Sequence, residues 1–228
     1  MPYLLISSSN VHGYGFLDHP ETEIRRLLDG RRRVVFVPFA GYDHDAYTDV
    51  VRERFGRMGL DVEPIRDAAS LRDAEAVFVG GGNTFRLLKT LYERGLLEPL
   101  RDAARSGLPY VGSSAGSVIT SPTIRTTNDM PIVQPPSFAS LGLIPFQLNC
   151  HYLDADPSST HKGETREQRI REFHEENAET VVGIREGTML RVEDGSVQLI
   201  GLAPARIFRR GQEPVEVEPG QRIDGFLS

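Results

Sequence analysis

At 228 residues, 39% hydrophobic and 25% charged, the chain is long enough to bury a sizeable core, most simply as one α/β-sized domain. A formal net charge of −6, with Arg and Glu interspersed, argues against a nucleic-acid-binding face or a polybasic membrane patch. The single cysteine, Cys150, excludes an internal disulfide and points to a reducing, cytoplasmic setting, and no apolar run approaches membrane-spanning length.

In chain order, strand and helix signals alternate through the first half. Tyr3 to Ser7 reads as a strand, Glu21 to Leu28 as a helix ending at Gly30, and Val34 to Val37 as a second strand stopped by Pro38. Asp45 to Met58 carries helical apolar spacing and closes at Gly59. Leu60 to Val62 and Ala76 to Val79 are further strands, the latter entering Gly80-Gly81-Gly82-Asn83. A helix from Thr84 follows, then a strand from Pro109 to Val111. Short, nearly all-apolar strands between helices predict a largely parallel sheet covered on both faces, with its active groups beyond the carboxyl ends of the strands. The second half is less regular. Ser121 to Pro145 reads as a long ordered loop lining that crevice, and Glu164 to Glu176 as a charged helix. From Thr180 onward, β-rich runs broken at Glu186-Gly187, Asp194-Gly195 and Pro219-Gly220 predict hairpins completing the sheet.

The strand ending at Val111 runs directly into Gly112-Ser113-Ser114-Ala115-Gly116. Small residues on both sides of Ser114 let the backbone turn sharply and lift one hydroxyl above the sheet edge, the geometry of a nucleophile elbow. A serine hydroxyl is a weak nucleophile and needs a base, an orienting carboxylate and an oxyanion site. His151, at the end of the strand signal Phe146 to Asn149, is the expected base. His161 is a weaker candidate in a polar loop, and His174 reads as a solvated helix residue. Glu186, where a strand meets a turn, is the expected orienter, with Asp154 and Asp156 as local rivals. Gly82 of the glycine-rich loop and Ala115 after the nucleophile would supply oxyanion N–H groups. The glycine loop lacks the Lys-Ser/Thr of a P-loop and the spacing of a dinucleotide fingerprint. Cys150 adjoins His151 but should face the opposite side of its strand, as a buried filler. The order Ser114, His151, Glu186 differs from the serine, acid, histidine order of α/β-hydrolases.

Phe36 to Gly41, Val79 to Phe85, the elbow, Pro122 to Val133 and His161 to Ile170 together resemble peptidase E, the serine-type α-aspartyl dipeptidases. The resemblance runs through nearly the whole chain. It implies a three-layer α/β fold like class I glutamine amidotransferase domains (flavodoxin-like), with Ser114, His151 and Glu186 in the catalytic roles. It also implies cleavage of dipeptides with an N-terminal aspartate, without metal or cofactor. Two departures stand out: Ser113 where the family commonly has an aromatic residue, and Cys150 where it commonly has proline. An aspartate-specific site needs a cation for the side-chain carboxylate, for which Arg166 and then Arg125 are the candidates. It also needs an acceptor for the α-ammonium, here Asp129 with Asn83 or Asn128. A cyanophycinase-like β-aspartyl peptidase and an esterase using the same elbow are the alternatives. The expected partner is a small peptide, with no nucleic acid or membrane, and the protein itself is expected as a monomer or homodimer.

Overall fold

A computed structural model describes the whole chain except residues 156, 157, 159, 161, 162 and 228. His161 and Asp156, considered above, therefore lie outside the described residues. The first half forms β1 (Tyr3–Ile6), α1 (Glu21–Leu27), β2 (Arg33–Val37), α2 (His44–Gly56), β3 (Asp61–Pro64), β4 (Ala76–Val79), α3 (Thr84–Glu93), α4 (Leu97–Arg105) and β5 (Tyr110–Ser113). After the one-turn helix α5 (Ala115–Val118) come β6 (Gln147–Cys150), α6 (Arg166–Glu176), β7 (Val181–Ile184), β8 (Thr188–Glu193), β9 (Ser196–Gly201), β10 (Ala205–Phe208) and β11 (Val215–Val217). Among the described residues, no helix is long and apolar enough to cross a membrane.

The central sheet runs β3-β2-β4-β5-β1-β8-β9, with β3, β2, β4, β5 and β1 parallel and the β8–β9 hairpin added antiparallel beside β1. Its inner strands are buried along their length, because alternate side chains enter two different cores. Leu4, Ile6, Phe36 and Phe78 pack with Ile24 of α1 and with Val51 and Phe55 of α2. Tyr3, Leu5, Val37 and Val79 pack on the other face with Leu87, Leu88 and Leu91 of α3 and Leu97 and Leu100 of α4. These two cores make the three layers that the alternating strand and helix pattern predicts.

The expectation that the C-terminal strands complete one sheet is corrected in part. Only β8 and β9 join the central sheet; β11-β10-β7-β6 form a second, four-stranded sheet. Helix α6 packs on this second sheet, with Ile170 beside Tyr152, Val181 and Phe208. His174 is also corrected: it is buried, with Nε2 within 3.0 Å of the Glu179 carbonyl, because its side of α6 closes onto the turn into β7.

Candidate active site

The elbow sits where β5 stops. Ser114 has φ 50° and ψ −110°, a backbone conformation that side-chain-bearing residues rarely adopt. The turn closes only because the residues two before and two after Ser114 lack side chains. A Cβ on Gly116 would stand 2.1 Å from the Val79 carbonyl oxygen, and one on Gly112 would stand 2.6 Å from that of Gly116. The strand–glycine–serine–glycine spacing is therefore a steric requirement of this turn.

His151 follows the last residue of β6 and also has positive φ, 54°. Its Nε2 lies 3.0 Å from Ser114 Oγ, and its Nδ1 lies 3.1 Å from Glu186 Oε1. With the ring proton on Nδ1, that nitrogen donates to the carboxylate and Nε2 accepts from the serine hydroxyl. Glu186 comes two residues after β7, which pairs parallel with β6 in the register Cys150 to Ile184. The imidazole and the carboxylate thus project from adjacent strand ends of the second sheet, and the elbow serine from the first.

Strong local pairing fixes the chain around the acid. Arg185 donates to both carboxylate oxygens of Asp154 at 2.8 Å, to Glu216 at 2.9 and 3.0 Å, and to the Pro204 carbonyl at 2.7 Å. Its guanidinium also lies over the Tyr152 ring. Asp154, weighed above as a rival orienter, is committed to Arg185, which holds its carboxyl below the usual aspartate range.

Gly81, Gly82, Ser114, Asp129 and His151 line a cavity of about 500 Å³, together with Ser8, Ser9, Asn10, Phe16 and Tyr47. Gly82 has φ +129°, and a Cβ there would meet the Ala40 carbonyl oxygen at 2.5 Å. Among the described residues, the Gly82 and Ala115 N–H groups donate to no protein acceptor, and Gly82 lines the cavity. Cys150 is buried with Sγ 3.7 Å from the Ser114 carbonyl oxygen, and burial pushes its thiol pKa well up. It packs behind the elbow as expected.

Asp129 faces the cavity with one oxygen already committed. Its Oδ2 accepts from the Thr84 N–H at 2.7 Å and the Thr84 hydroxyl at 2.5 Å, at the start of α3. Its Oδ1 has no protein donor among the described residues. Arg166, the first residue of α6, lies within the electrostatic reach of Asp129 and makes no hydrogen bond or ion pair among the described residues. Desolvation is the main influence on its guanidinium.

The other substrate candidates are engaged in holding the loops. Asn83 caps α3, its Oδ1 accepting from the Arg86 N–H at 3.0 Å and its Nδ2 donating to the Met130 carbonyl at 2.9 Å. Asn128 pairs with Asn149 at 3.2 Å and donates to the Cys150 carbonyl at 2.7 Å, bracing the strand that carries His151. Arg125 lines a separate groove with Phe85, Phe138 and Phe173, its guanidinium 6.0 Å from the Phe138 ring centre. Sequence reasoning passed over Ser7, Ser9 and Tyr47. For Ser7 and Ser9 the available signal was topological: β1 neighbours β5, so the residues after β1 must border the elbow.

An elbow serine, an imidazole and a carboxylate in hydrogen-bonded line, on a doubly wound sheet, define a serine hydrolase. The profile of peptidase family S51 matches residues 3–200, and the chain belongs to that family of serine peptidases. Peptidase E of Streptomyces coelicolor is 52% identical over 231 residues, covering 100% of this chain and 95% of its own length. A Drosophila melanogaster protein named probable alpha-aspartyl dipeptidase is 46% identical, covering 95% of this chain and 93% of its own. Among solved structures, a peptidase from an acI-B1 Actinobacterium superposes with a TM-score of 0.72 at 16% identity, covering 97% of this chain and 96% of its own. That last likeness is one of fold.

Proposed function

We propose that the protein is a dipeptidase acting on peptides with an N-terminal aspartate, through an acyl-enzyme on Ser114. The observation that carries this reading is the half-committed Asp129 in the catalytic cavity. Its open Oδ1 offers a free α-ammonium an acceptor beside the nucleophile, and no such acceptor is needed for an internal peptide bond. The names of the relatives from Streptomyces and Drosophila support the same substrate class.

In this reading His151 Nε2 takes the Ser114 proton as Oγ attacks the carbonyl carbon after aspartate. The Gly82 and Ala115 N–H groups receive the developing oxyanion. His151 then protonates the departing amine as the C–N bond breaks, and later deprotonates the water that hydrolyses the ester. Glu186 keeps the ring proton on Nδ1 and stabilises the imidazolium. Arg166, free of protein carboxylates among the described residues, reads the substrate's side-chain carboxylate. The substrate is a small peptide, and the lone free thiol of Cys150 accords with a cytoplasmic setting.

The test is hydrolysis of Asp-Leu beside N-acetyl-Asp-Leu, Glu-Leu and Asn-Leu, with Ser114→Ala as control. Cleavage of Asp-Leu alone, lost in the variant, is expected. Equal cleavage of the acetylated peptide would remove the ammonium site at Asp129, and activity in Ser114→Ala would remove the nucleophile.

A further inference from the structure

We propose that Tyr47 is a positioning residue for the oxyanion loop, its hydroxyl engaging the Gly81 N–H so that the Gly82 N–H is the loop's free donor. The proposal rests on Gly82 acting as an oxyanion donor in the reading above.

Tyr47 comes from α2, far from the elbow in sequence, yet it lines the catalytic cavity beside Ser114 and Gly82. The Gly81 N–H donates to Tyr47 Oη at 3.0 Å. Of the two N–H groups at the tip of the glycine loop, one is therefore tied to the phenol and the next is left open. A loop of three glycines has many backbone conformations of similar energy, and an oxyanion donor helps only when it is held in place beforehand. The phenol supplies the fixed point.

The ring itself cannot drift. It stands edge-on to Phe36, with centroids 5.0 Å apart, and near Phe16 at 6.5 Å. The backbone is pressed against it from two sides. A Cβ on Gly80 would lie 2.7 Å from Tyr47 Oη, and one on Gly41 would lie 3.0 Å from Cδ1. The Ser9 hydroxyl also interacts with the phenol, and Ser9 Oγ lies 2.6 Å from Ser113 Oγ. Ser9, which borders the same cavity, thus lies between the phenol and the residue preceding the nucleophile. Ser113 can meet Ser9 because it carries a hydroxyl rather than a ring at this position. Burial pushes the Tyr47 pKa up to about 12, so the phenol stays protonated across the neutral range.

The test compares wild type, Tyr47→Phe, Gly80→Ala and Ser114→Ala by two rates: labelling of Ser114 with a fluorophosphonate probe, and kcat for Asp-Leu. The phosphonate oxygen uses the oxyanion site whatever the natural substrate is. Tyr47→Phe keeps the ring and deletes the hydroxyl. It should lower labelling and kcat together by about tenfold or more, with KM within about twofold and Tm unchanged. Gly80→Ala, which displaces the phenol from the other side, should lower the same two rates. Wild-type labelling rates in Tyr47→Phe, or a rise in KM with labelling intact, would overturn the proposal. If Tyr47→Phe melted early, wild-type labelling in Gly80→Ala would overturn it and slowed labelling would support it. A wild type labelled at Ser114 but inert on Asp-Leu would remove the substrate assignment, while the labelling rates still decide the role of Tyr47. A wild type unlabelled at Ser114 would remove both.

Discussion

The hydroxyl of Ser7 accepts the backbone N–H of His151 at 3.0 Å, across 144 residues of sequence, and donates to the Ile184 carbonyl at 2.8 Å. Ser7 lies just past β1, whose last residue, Ile6, pairs with Ser113. One fully buried hydroxyl therefore joins the sheet that carries the nucleophile to the strand ends that carry the base and the acid. Alignment of the relay depends on this junction.

Ser7→Ala should then harm both stability and rate. It leaves the His151 N–H without its partner, while the Ile184 carbonyl keeps the Tyr152 N–H at 3.1 Å, a cost of about 1–3 kcal/mol. It also frees His151, held at positive φ, to move relative to Ser114, and small misplacements of reacting groups lower rates by about tenfold to a hundredfold. Urea unfolding and kcat on the same preparation measure the two effects. A destabilised variant with wild-type kcat would show that the junction supports the fold and not the relay.

Ser114 is held at φ 50° and ψ −110° for its chemistry and at the expense of stability. Such a backbone costs a side-chain-bearing residue about 1–3 kcal/mol and glycine much less. Ser114→Gly should therefore abolish hydrolysis and raise stability by about 1 kcal/mol, a Tm gain of roughly 2–4 °C for a chain of this size. Thermal melts of Ser114→Gly beside Ser114→Ala separate backbone strain from loss of the hydroxyl. Equal melting temperatures would show that the elbow stores no strain.

Cys150 adjoins the base in sequence but should be chemically silent. Its thiol is buried and its pKa is pushed well up by that burial, so little thiolate forms near neutral pH. Iodoacetamide at pH 8 should leave the native enzyme fully active and unlabelled, and should label Cys150 once the chain is unfolded in urea. Rapid inactivation of the folded enzyme would mean that the thiol reaches the cavity.

What could be read from the residues, and what could not, follows from the range of the forces involved. The elbow was legible because Gly112 and Gly116 answer to contacts a few residues away and to the adjacent strand β4. The parallel half of the central sheet was legible because β1 and β4 are apolar throughout and β2 is apolar after Arg33. The division of the C-terminal strands between two sheets was not. Both β8 and β10 are short mixed runs, and their partners β1 and β7 are selected by tertiary packing rather than by local pattern. His174 misled for a similar reason. The charge of α6 describes its outer surface, while the turn at Glu179 buries this one imidazole. Tyr47 was hidden because nothing in the α2 sequence announces a hydroxyl aimed at a loop formed more than thirty residues later.

The final expectation concerns acid. Arg185 holds the Asp154 carboxyl below the usual aspartate range, chiefly by hydrogen bonding, against an opposing desolvation. A depressed folded pKa means that the folded state binds this proton more weakly than the unfolded chain does. The pair therefore stabilises the fold fully above the ordinary aspartate range, about pH 4, and loses its contribution as pH falls through that range toward the lower folded value. Asp154 is about half exposed, at 52%, so screening limits the effect to about 1 kcal/mol or less. Asp154→Asn should thus lower Tm at pH 7, and the gap to wild type should close from about pH 4 downward and shrink in high salt. Because Asp154 follows His151 by three residues and Arg185 precedes Glu186, the variant should also lose kcat at neutral pH, where global unfolding is negligible. Melting curves at pH 7 and pH 3 test the electrostatic part. A Tm difference that stayed constant across that interval would assign the role of Asp154 to packing alone.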